Sequence, residues 1–599
     1  MLRVLATSRQ QLGVPGEHAW RVPSLSIPQR DSSLAPAEAA HIDSVRLFVQ
    51  RASLADQNFR LTERNLGPII EISRRLDGIP LAIELATARV KVLSPVEIQE
   101  RLDDRFRFLS VSGPATIPRQ RTLRALVDWS YDLLTEPEQT LFRRVSVFTG
   151  TFTLKAAEEI CAESPVDSGF VLDVLYQLVD KSLVIAFSSE PTTRYGMLET
   201  IRQYAKDRLI ESGELGQVQK RYRHWYTELG RRAERALEGA DQTVWLESLE
   251  AELDNIRESL RSCQEADDIS SCLELAAAIW RFWWIRGHLR EGRAWLDASL
   301  AQRNLAPEVR AKALHAAGAL AWDQTDFPAA RRFLAESIKE FTAIGDLRGS
   351  ALSQHKLGAV LSLQGRYEQA RHLMHNSLAL GRQLEDRQVI AHSVMQLGEL
   401  AIFERNLSVA RSLLNESLLA FRSVHDAYGI TASLGMLGEI ALHEGDHQTA
   451  QALLDESHRL GQAMGDKWRI ARAQTMLGEL ARREGDIGRA ASLHRGALLL
   501  RSQIGLQDGI AQSIEAIARL LNDASQSVRA AHLYGAADAL RATVGLPIDL
   551  GMHADHMTQL DVVQQRLDAE TFSRAWDEGR AMPFQNAVRL AMDGCDDLG

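Results

Sequence analysis

The stretch "GMLGEIALHEGDHQTAQALLDESH" at residues 435–458 decides the fold, because four other segments align with it without a gap. They are "HAAGALAWDQTDFPAARRFLAESI" at 315–338, "HKLGAVLSLQGRYEQARHLMHNSL" at 355–378, "MQLGELAIFERNLSVARSLLNESL" at 395–418 and "TMLGELARREGDIGRAASLHRGAL" at 475–498. Glycine recurs at positions 318, 358, 398, 438 and 478, and alanine at 330, 370, 410, 450 and 490, so the period is 40 residues. A constant period of this length indicates a repeat array.

Each unit predicts two antiparallel helices. The first carries a Leu-Gly-x-Leu/Ile-Ala face, a polar turn such as Glu444-Gly445-Asp446 follows, and the second helix carries Ala450, Leu453, Leu454 and Ser457. Small residues at fixed positions let the helices pack closely, and the leucines form a buried stripe. The pattern is that of tetratricopeptide repeats, lengthened beyond 34 residues by longer helices or by a longer loop between repeats.

A weaker sixth unit runs through Ile514, Ala518 and Ala530, so we expect the array to occupy residues 311–550. Stacked units of this kind bury their apolar faces against each other and leave a concave surface. We expect a protein partner or a small-molecule inducer to bind on that surface.

Composition limits the class of protein. The chain has 599 residues, of which 45% are hydrophobic and 25% charged, as in ordinary folded soluble proteins. A net charge of −10 argues against broad nucleic-acid binding by the whole chain. The most apolar stretch, "LAAAIWRFWWI" at 275–285, is interrupted by Arg281 and is shorter than the ~20 residues that a membrane span needs. We therefore expect a cytoplasmic protein without a membrane partner.

The sequence predicts no metal site and no catalytic residue. The repeat histidines at positions 315, 355, 375, 443 and 447 lack ligand spacing, so we expect them to face solvent or to pack between repeats. The cysteines at 161, 263, 272 and 595 show no CxxC or CxxxC spacing, which favours reduced thiols. No phosphate loop, GxSxG or HExxH motif occurs among the repeats, so we expect a binding scaffold.

Residues 211–310 predict a helical linker that is rich in aromatic side chains. "WLESLEAELDNIRESL" at 245–260 has a helical apolar period. Aromatic residues of this region stand at positions 222, 225, 226, 245, 280, 282, 283, 284 and 295. We expect them to pack the linker against the first repeat, and the alternative is an aromatic cage for a ligand.

Four motifs follow one another in the first 210 residues. They are the apolar strand "LRVLATSR" at 2–9, "RRLDGIPLAIELATARV" at 74–90, "TLRALVDWSYDLLTEPEQTLFRRVSVF" at 122–148 and "RYGMLETIRQYAKDRL" at 194–209. In this order they resemble the signal-transduction NTPases of the STAND class, whose nucleotide module is called NB-ARC. Within that class, the bacterial LuxR- and AfsR-like regulators look most similar. Because a helical linker and tetratricopeptide repeats commonly follow that module, the resemblance covers essentially the whole chain.

The resemblance implies nucleotide contacts for three residues. Arg9 matches the arginine that ends the family's sensor-1 strand and faces the γ-phosphate, a role that suits a guanidinium with two parallel donors. In Gly78-Ile79-Pro80 the proline of the family motif packs against adenine. Proline at the first turn of a helix loses no hydrogen bond. We therefore assign Arg9, Gly78 and Pro80 as secondary nucleotide contacts.

Residues 119–210 resemble the family's winged-helix domain. The expected wing pairs Leu183–Ala186 with Arg194–Met197. The passage "LVDKSLV" before the wing has Lys181 alone where a DNA-reading helix has several basic or amide side chains. We expect this domain to act as an internal module of a switch, and DNA reading is the alternative.

Half of the family's nucleotide site is absent from the sequence. No Gly-x-x-x-x-Gly-Lys-Ser/Thr loop occurs, and no acidic-ended strand precedes Arg9. Met197-Leu198-Glu199 stands where many members have Met-His-Asp, whose histidine contacts the β-phosphate of ADP. We therefore expect no cofactor, no tight ATP binding and no ATP hydrolysis, with ATP or ADP bound only if a phosphate-loop half is supplied. The chain is expected to be a fragment or a degenerate paralogue.

The predicted fold class is mainly α, with a remnant of a nucleotide-binding sheet. The expected domains are a remnant sensor-1 strand at 1–30, an NB-ARC-like helical domain at 31–118, a winged helix at 119–210, the linker at 211–310, the tetratricopeptide-type α-solenoid at 311–550, and capping helices with Phe572 and Trp576 at 551–599. The predicted function is a regulatory scaffold, the C-terminal portion of a STAND-type ATPase. The alternative is part of a LuxR- or AfsR-like transcriptional regulator, acting on DNA through a domain outside this chain.

Overall fold

The computed structural model describes residues 24–29, 34–56, 59–87, 90, 93–102, 127–128, 130–181, 183–188, 192–302, 305–505, 507–544 and 550–598. The predicted sensor-1 strand, with Arg9, lies outside the described residues. The described residues fall into two compact units, one within 1–225 and 252–259, the other within 226–251 and 260–599. Helices dominate both, which confirms the predicted mainly α fold class with its winged helix and repeat solenoid.

Helices α1 to α9 belong to the first unit. Their bounds are Pro36–Ala39, Asp43–Ala55, Glu63–Arg75, Pro80–Thr87, Pro95–Arg101, Glu136–Arg144, Leu154–Cys161, Val171–Asp180 and Glu199–Glu211. Short 3-10 turns lie at Val145–Val147 and Ser168–Phe170. The first five helices share a core in which Phe48, Ile72 and Ile83 are fully buried.

A tight turn joins α3 to α4. Gly78 has a φ of +63°, and a Cβ atom there would lie 2.3 Å from the carbonyl oxygen of Leu25. The Leu25 amide donates to the Gly78 carbonyl over 3.0 Å, so the two segments touch through their backbones. Only glycine satisfies both the positive φ and this approach. Pro80 is the first residue of α4, where the sequence places it.

Three short strands accompany the winged-helix helices: β1 (Phe152–Thr153), β2 (Ile185–Phe187) and β3 (Arg194–Gly196). The sheet order is β1-β3-β2, and both pairs are antiparallel. Ala186 lies opposite Tyr195, so the predicted wing hairpin is present with its ends shifted slightly. Strand β1 is too short to leave a pattern in the sequence, and it was not predicted.

Helices α10 to α15 link the winged helix to the repeats. Their bounds are Leu215–Ala236, Gln242–Ala251, Leu253–Glu265, Ile269–Ala278, Trp280–Ile285 and Leu289–Leu300. Helices α10 and α12 each cross the boundary between the two units.

Six helix pairs form the repeats. They are α16 (Pro307–Asp323) with α17 (Phe327–Ala343), α18 (Leu347–Leu363) with α19 (Tyr367–Gln383), α20 (Arg387–Phe403) with α21 (Leu407–Val424), α22 (Ala427–Glu444) with α23 (His447–Met464), α24 (Lys467–Glu484) with α25 (Ile487–Ile504), and α26 (Gln507–Asp523) with α27 (Ser527–Val544). We call the first helix of each pair helix A and the second helix B. Three helices follow: α28 (Leu550–Arg566), α29 (Ala569–Ala581) and α30 (Phe584–Asp596).

The 40-residue period comes from long helices. Each repeat helix has 17 or 18 residues, and the turns within and between repeats are equally short. A residue with positive φ recurs every 20 positions from Thr325 to Ser525. An Asp or Asn follows most of these residues and caps the next helix, as when Asp446 accepts from the Thr449 amide over 3.1 Å. Of the two predicted explanations, longer helices are therefore correct.

The repeat glycines mark the closest approach of helices A and B. A Cβ atom at Gly438 would lie 2.7 Å from Leu454 Cγ, and one at Gly398 would lie 2.9 Å from Leu414 Cγ. Ser457, on helix B, donates to the Thr431 carbonyl of helix A over 3.0 Å. The small residues predicted to allow close packing therefore do so.

The described residues also bear on the predictions about membrane spans and cysteines. Among these residues, we find no helix whose length and apolar character would suit it to crossing a membrane. The four cysteines are free and buried.

Candidate functional site

A cavity of about 560 Å³ lies on the inner side of the repeats. Side chains from all six A helices line it, together with residues of α14 in the linker. We call this space the repeat cavity. Its volume falls in the range of ~300–1,000 Å³ that is usual for small-molecule sites.

Equivalent sequence positions in successive repeats face the repeat cavity. Two positions before the repeat glycine, the lining residues are Lys356, Gln396, Met436 and Met476. Five positions after it, they are Asp323, Leu363, Phe403, His443 and Arg483. The packing residues repeat, whereas the lining residues differ in charge and size from one repeat to the next. Such variation gives one cavity several different chemical surfaces.

Lys356 is the central charge of the cavity. Its side chain is only 7% exposed, and its Nζ lies 4.1 Å from the ring centre of Trp284, 4.6 Å from Trp322 and 5.9 Å from Trp280. Among the described residues, no carboxylate or other acceptor lies within hydrogen-bonding distance of this ammonium group. Burial lowers the pKa of Lys356, and the field of Asp323 opposes that shift. Cation–π contacts are therefore its closest electrostatic support.

Two buried arginines of the cavity also have N–H groups without an acceptor. Arg281 is 5% exposed, and its Nε and Nη1 have no partner in the described structure. Arg469 is 8% exposed; it lies over Tyr428 at 4.6 Å and over Trp468 at 4.5 Å, and its Nε has no partner. The indole Nε1 of Trp322 is likewise enclosed and unpartnered. Buried donors without acceptors are costly, so this cluster carries a cost that packing alone does not explain.

Several carboxylates lie near these cations, and they differ in burial. Asp323 and Glu399 line the cavity and act electrostatically on Lys356. Both are partly exposed, although Asp323 Oδ2 is enclosed without a partner. Burial raises the pKa of Asp323, with the Lys356 charge opposing the shift. Asp466 is the N-cap of α24 and accepts from the Arg469 amide over 3.0 Å.

Farther along the cavity, several charges are paired. Arg472 contacts Glu439 at 2.8 Å, Arg482 contacts Glu479 at 2.9 Å, and Arg541 contacts Glu515. Burial would raise the pKa of Glu479, but hydrogen bonds from the arginines dominate and lower it to about 2. Enclosed cationic donors without a partner in the described structure occur on Arg281, Arg469 and, farther along, on Arg519 Nε.

The histidines of the repeats divide into two groups. His315, His355 and His443 line the repeat cavity, whereas the predicted candidates His375 and His447 lie on B helices. His355 stacks on His392 at 5.3 Å, and burial lowers the pKa of His315 to about 3. No group of three or more potential metal ligands occurs in the part of the chain that the structure describes.

Some linker aromatics pack within the linker, and others line the repeat cavity; the role of a ligand cage stays a prediction. Phe282 and Trp283 are fully buried, and Trp283 packs directly against the backbone at Gly292. Trp280 and Trp284 stack on each other at 5.4 Å and line the cavity beside Lys356. The sequence raised the cage as an alternative, but its third ring, Trp322, comes from the first repeat. Neither Lys356 nor Trp322 was predicted, although Lys356 is the one charged residue at a register that otherwise has Ala316, Gln396, Met436 and Met476.

The predicted nucleotide residues Gly78 and Pro80 lie next to a contact with the winged helix. Asp77, with a φ of +53°, accepts hydrogen bonds from the amide and the hydroxyl of Thr200, each over 2.9 Å. Thr200 is in the first turn of α9, where a carboxylate satisfies free amides and the helix dipole. This contact joins the turn before Pro80 to the segment that follows the wing. The assigned nucleotide roles of Gly78 and Pro80 stay predictions.

Helix α8, which precedes the wing, presents one exposed amide, Gln177, and no basic side chain that could read DNA. Its exposed side chains include Leu172, which is 48% exposed, and Tyr176, which is 66% exposed. Its charged residues are Asp173 and Asp180, and Lys181 just after it contacts Glu138 at 2.6 Å. A recognition helix in the major groove ordinarily presents basic and amide side chains.

Comparison with known proteins gives three kinds of match. A family model described as a winged helix-turn-helix domain matches residues 134–210, which confirms that part of the fold. Relatives from Mycobacterium bovis and Mycobacterium tuberculosis, each named "Putative HTH-type transcriptional regulator", are 42% identical over 318 residues. The match covers 52% of this chain and 34% of each relative, so the chain spans about a third of the length of these curated relatives.

Solved structures match at low identity. A STAND protein with a tetratricopeptide repeat sensor from Pyrococcus horikoshii is 14% identical, with a TM-score of 0.42; the match covers 90% of this chain and 75% of that protein. A Rap protein complexed with competence and sporulation factor is 13% identical, with a TM-score of 0.43; the match covers 62% of this chain and 98% of that protein.

Proposed function

We propose that this chain is the sensor and switch portion of a signalling regulator of the STAND type, and that the repeat cavity binds an inducer. One observation carries the proposal. The cavity encloses a buried lysine among three tryptophans, with no acceptor for its ammonium in the described structure. A solenoid that served only as a spacer would gain stability from an apolar residue at this position.

The position of the cavity suits a sensor. Its walls come from the A helices and from linker helix α14, so one ligand would touch the repeats and the linker together. Linker residue Glu238 already contacts Arg281 and Arg348, and Gln242 Oε1 accepts from the Tyr428 amide over 2.9 Å. A ligand that binds this arrangement of linker and repeats more tightly than other arrangements would increase its population.

Native mass spectrometry of the full chain, expressed in a bacterial host and purified gently, tests the proposal. We expect a bound small molecule that is lost when Met436→Trp fills the cavity. Leu419→Trp, at a 67% exposed site on α21, is the matched control and should retain the ligand. A wild-type chain that carries no ligand and whose melting temperature is unchanged by the host's small-molecule extract would contradict the proposal.

The second candidate is a transcriptional regulator that contacts DNA. The winged-helix match and the names of the mycobacterial relatives favour it. The exposed surface of α8 argues that DNA contact would use another part of the regulator. A gel shift with competitor DNA separates the candidates, because salt-sensitive binding at submicromolar protein would favour DNA reading by this chain.

A further inference from the structure

The α14 end of the repeat cavity holds buried cationic side chains whose donor groups lack acceptors. Lys356, Arg281 and Arg469 are all more than nine-tenths buried, and each has donor N–H groups without an acceptor in the described structure. Asp323 and Glu399 are the nearby carboxylates that make no ion pair there, and both reach solvent. The enclosed donors of Arg281 and Arg469 receive no acceptor from the described residues, and the Lys356 side chain lines the cavity.

Comparison between repeats indicates that packing does not require this charge. At the register of Lys356, the fourth and fifth repeats have Met436 and Met476, which also line the cavity. Methionine is close to lysine in length and fills irregular space without a charge. The second repeat therefore has a buried ammonium where the fourth and fifth repeats have a thioether and the third has the amide of Gln396.

The side chains around the Lys356 ammonium indicate which chemical groups would fit beside it. Trp280, Trp284 and Trp322 surround Lys356, and the Tyr428 ring lies 4.5 Å from that of Trp284. Flat aromatic faces favour offset or edge contacts with another planar ring. The enclosed Trp322 Nε1 and Arg469 Nε add directional donors.

We infer that the repeat cavity binds a small organic anion with a planar aromatic body, whose carboxylate pairs with Lys356 while its ring lies among the tryptophans. This inference rests on the proposed function and adds the chemical class of the ligand. The carboxylate would give the Lys356 ammonium the acceptor it lacks, with Arg281 as an additional donor. A charge-assisted hydrogen bond of this kind contributes ~1.5–3 kcal/mol, or about tenfold or more in affinity.

Three probes with the same ring system test the inference on the full chain. Indole-3-acetate carries a carboxylate, indole-3-acetamide is its neutral analogue, and tryptamine carries an ammonium group. We expect calorimetry to show the acetate binding about tenfold or more tightly than the acetamide, with tryptamine weakest. Lys356→Met should bring the acetate and acetamide affinities within about twofold, and Lys356→Arg should restore the preference.

The possible outcomes distinguish a wrong ligand class from a cavity that binds no ligand. Equal affinity for acetate and acetamide, or tightest binding of tryptamine, would overturn the inference and leave a ligand cavity in place. Binding of none of the three probes to the wild-type chain would count against both the inference and the proposed cavity. Circular dichroism of Lys356→Met checks its fold, and Met436→Leu, which changes the same register without changing charge, should keep the acetate preference.

Discussion

Single residues with positive φ set the turns of the solenoid. Of the eleven such positions from 325 to 525, six are glycine, and His425 is one of the others. His425 has a φ of 56°, is exposed, and follows the last turn of α21. For a residue with a Cβ atom, this conformation costs ~1–2 kcal/mol relative to the right-handed region, whereas glycine adopts it without that cost.

His425→Gly should therefore stabilise the chain, by about 0.5–1 kcal/mol after the greater freedom of glycine in the unfolded chain is subtracted. The reciprocal change, Gly445→His, is the matched control, because Gly445 has a φ of 78° and open space around its Cβ position. We expect that change to destabilise by a similar amount. Urea unfolding measures both, and a loss of stability in His425→Gly would show that the histidine makes contacts worth more than the strain.

The repeat glycines matter for packing rather than for backbone conformation. They leave the space that lets the two helices of a pair approach closely. A methyl group at Gly438 would meet Leu454 Cγ at 2.7 Å, whereas one at Gly435, in the same helix, would meet only Ser457 Oγ at 3.4 Å. Gly438→Ala should cost ~1–3 kcal/mol through overpacking, partly offset by the better helix propensity of alanine. Gly435→Ala should be neutral or stabilising. Thermal unfolding compares the two, and equal melting temperatures would contradict the packing argument.

The helix pairs were predictable and the cavity was not, for one physical reason. Helix packing repeats the same contact, so Gly438 and Leu454 have counterparts every 40 residues and the period is visible in the sequence. The lining of the cavity does not repeat, so Lys356 and Asp323 resemble isolated exceptions among packing positions. The cage also joins Trp284 of the linker to Trp322 of the first repeat, and only the folded chain brings them together.

At the scale of the first unit, Asp77 connects the helical domain to the winged helix through Thr200. Asp77→Asn keeps the side-chain shape and tolerates the positive φ, but it removes the charge that the amides of α9 attract. We expect faster hydrogen exchange in the first turn of α9 and a loss of about 1 kcal/mol. Asp173→Asn, an exposed change on α8, is the control. Unchanged exchange in α9 would mean that the contact adds no stability.

At the scale of the whole chain, the predicted nucleotide residues would supply only secondary contacts. Gly78 and Pro80 adjoin the Asp77 contact, but no Gly-x-x-x-x-Gly-Lys-Ser/Thr loop is present to hold phosphates and magnesium. Most of the binding energy of a nucleotide triphosphate comes from such phosphate and metal contacts. We therefore expect calorimetry with magnesium-ATP to show millimolar or undetectable binding, and a phosphate-release assay to show no hydrolysis. The aromatic anions that we propose for the repeat cavity should bind equally well with or without magnesium-ATP. A micromolar dissociation constant for magnesium-ATP would contradict this expectation and would require a phosphate site built from other residues.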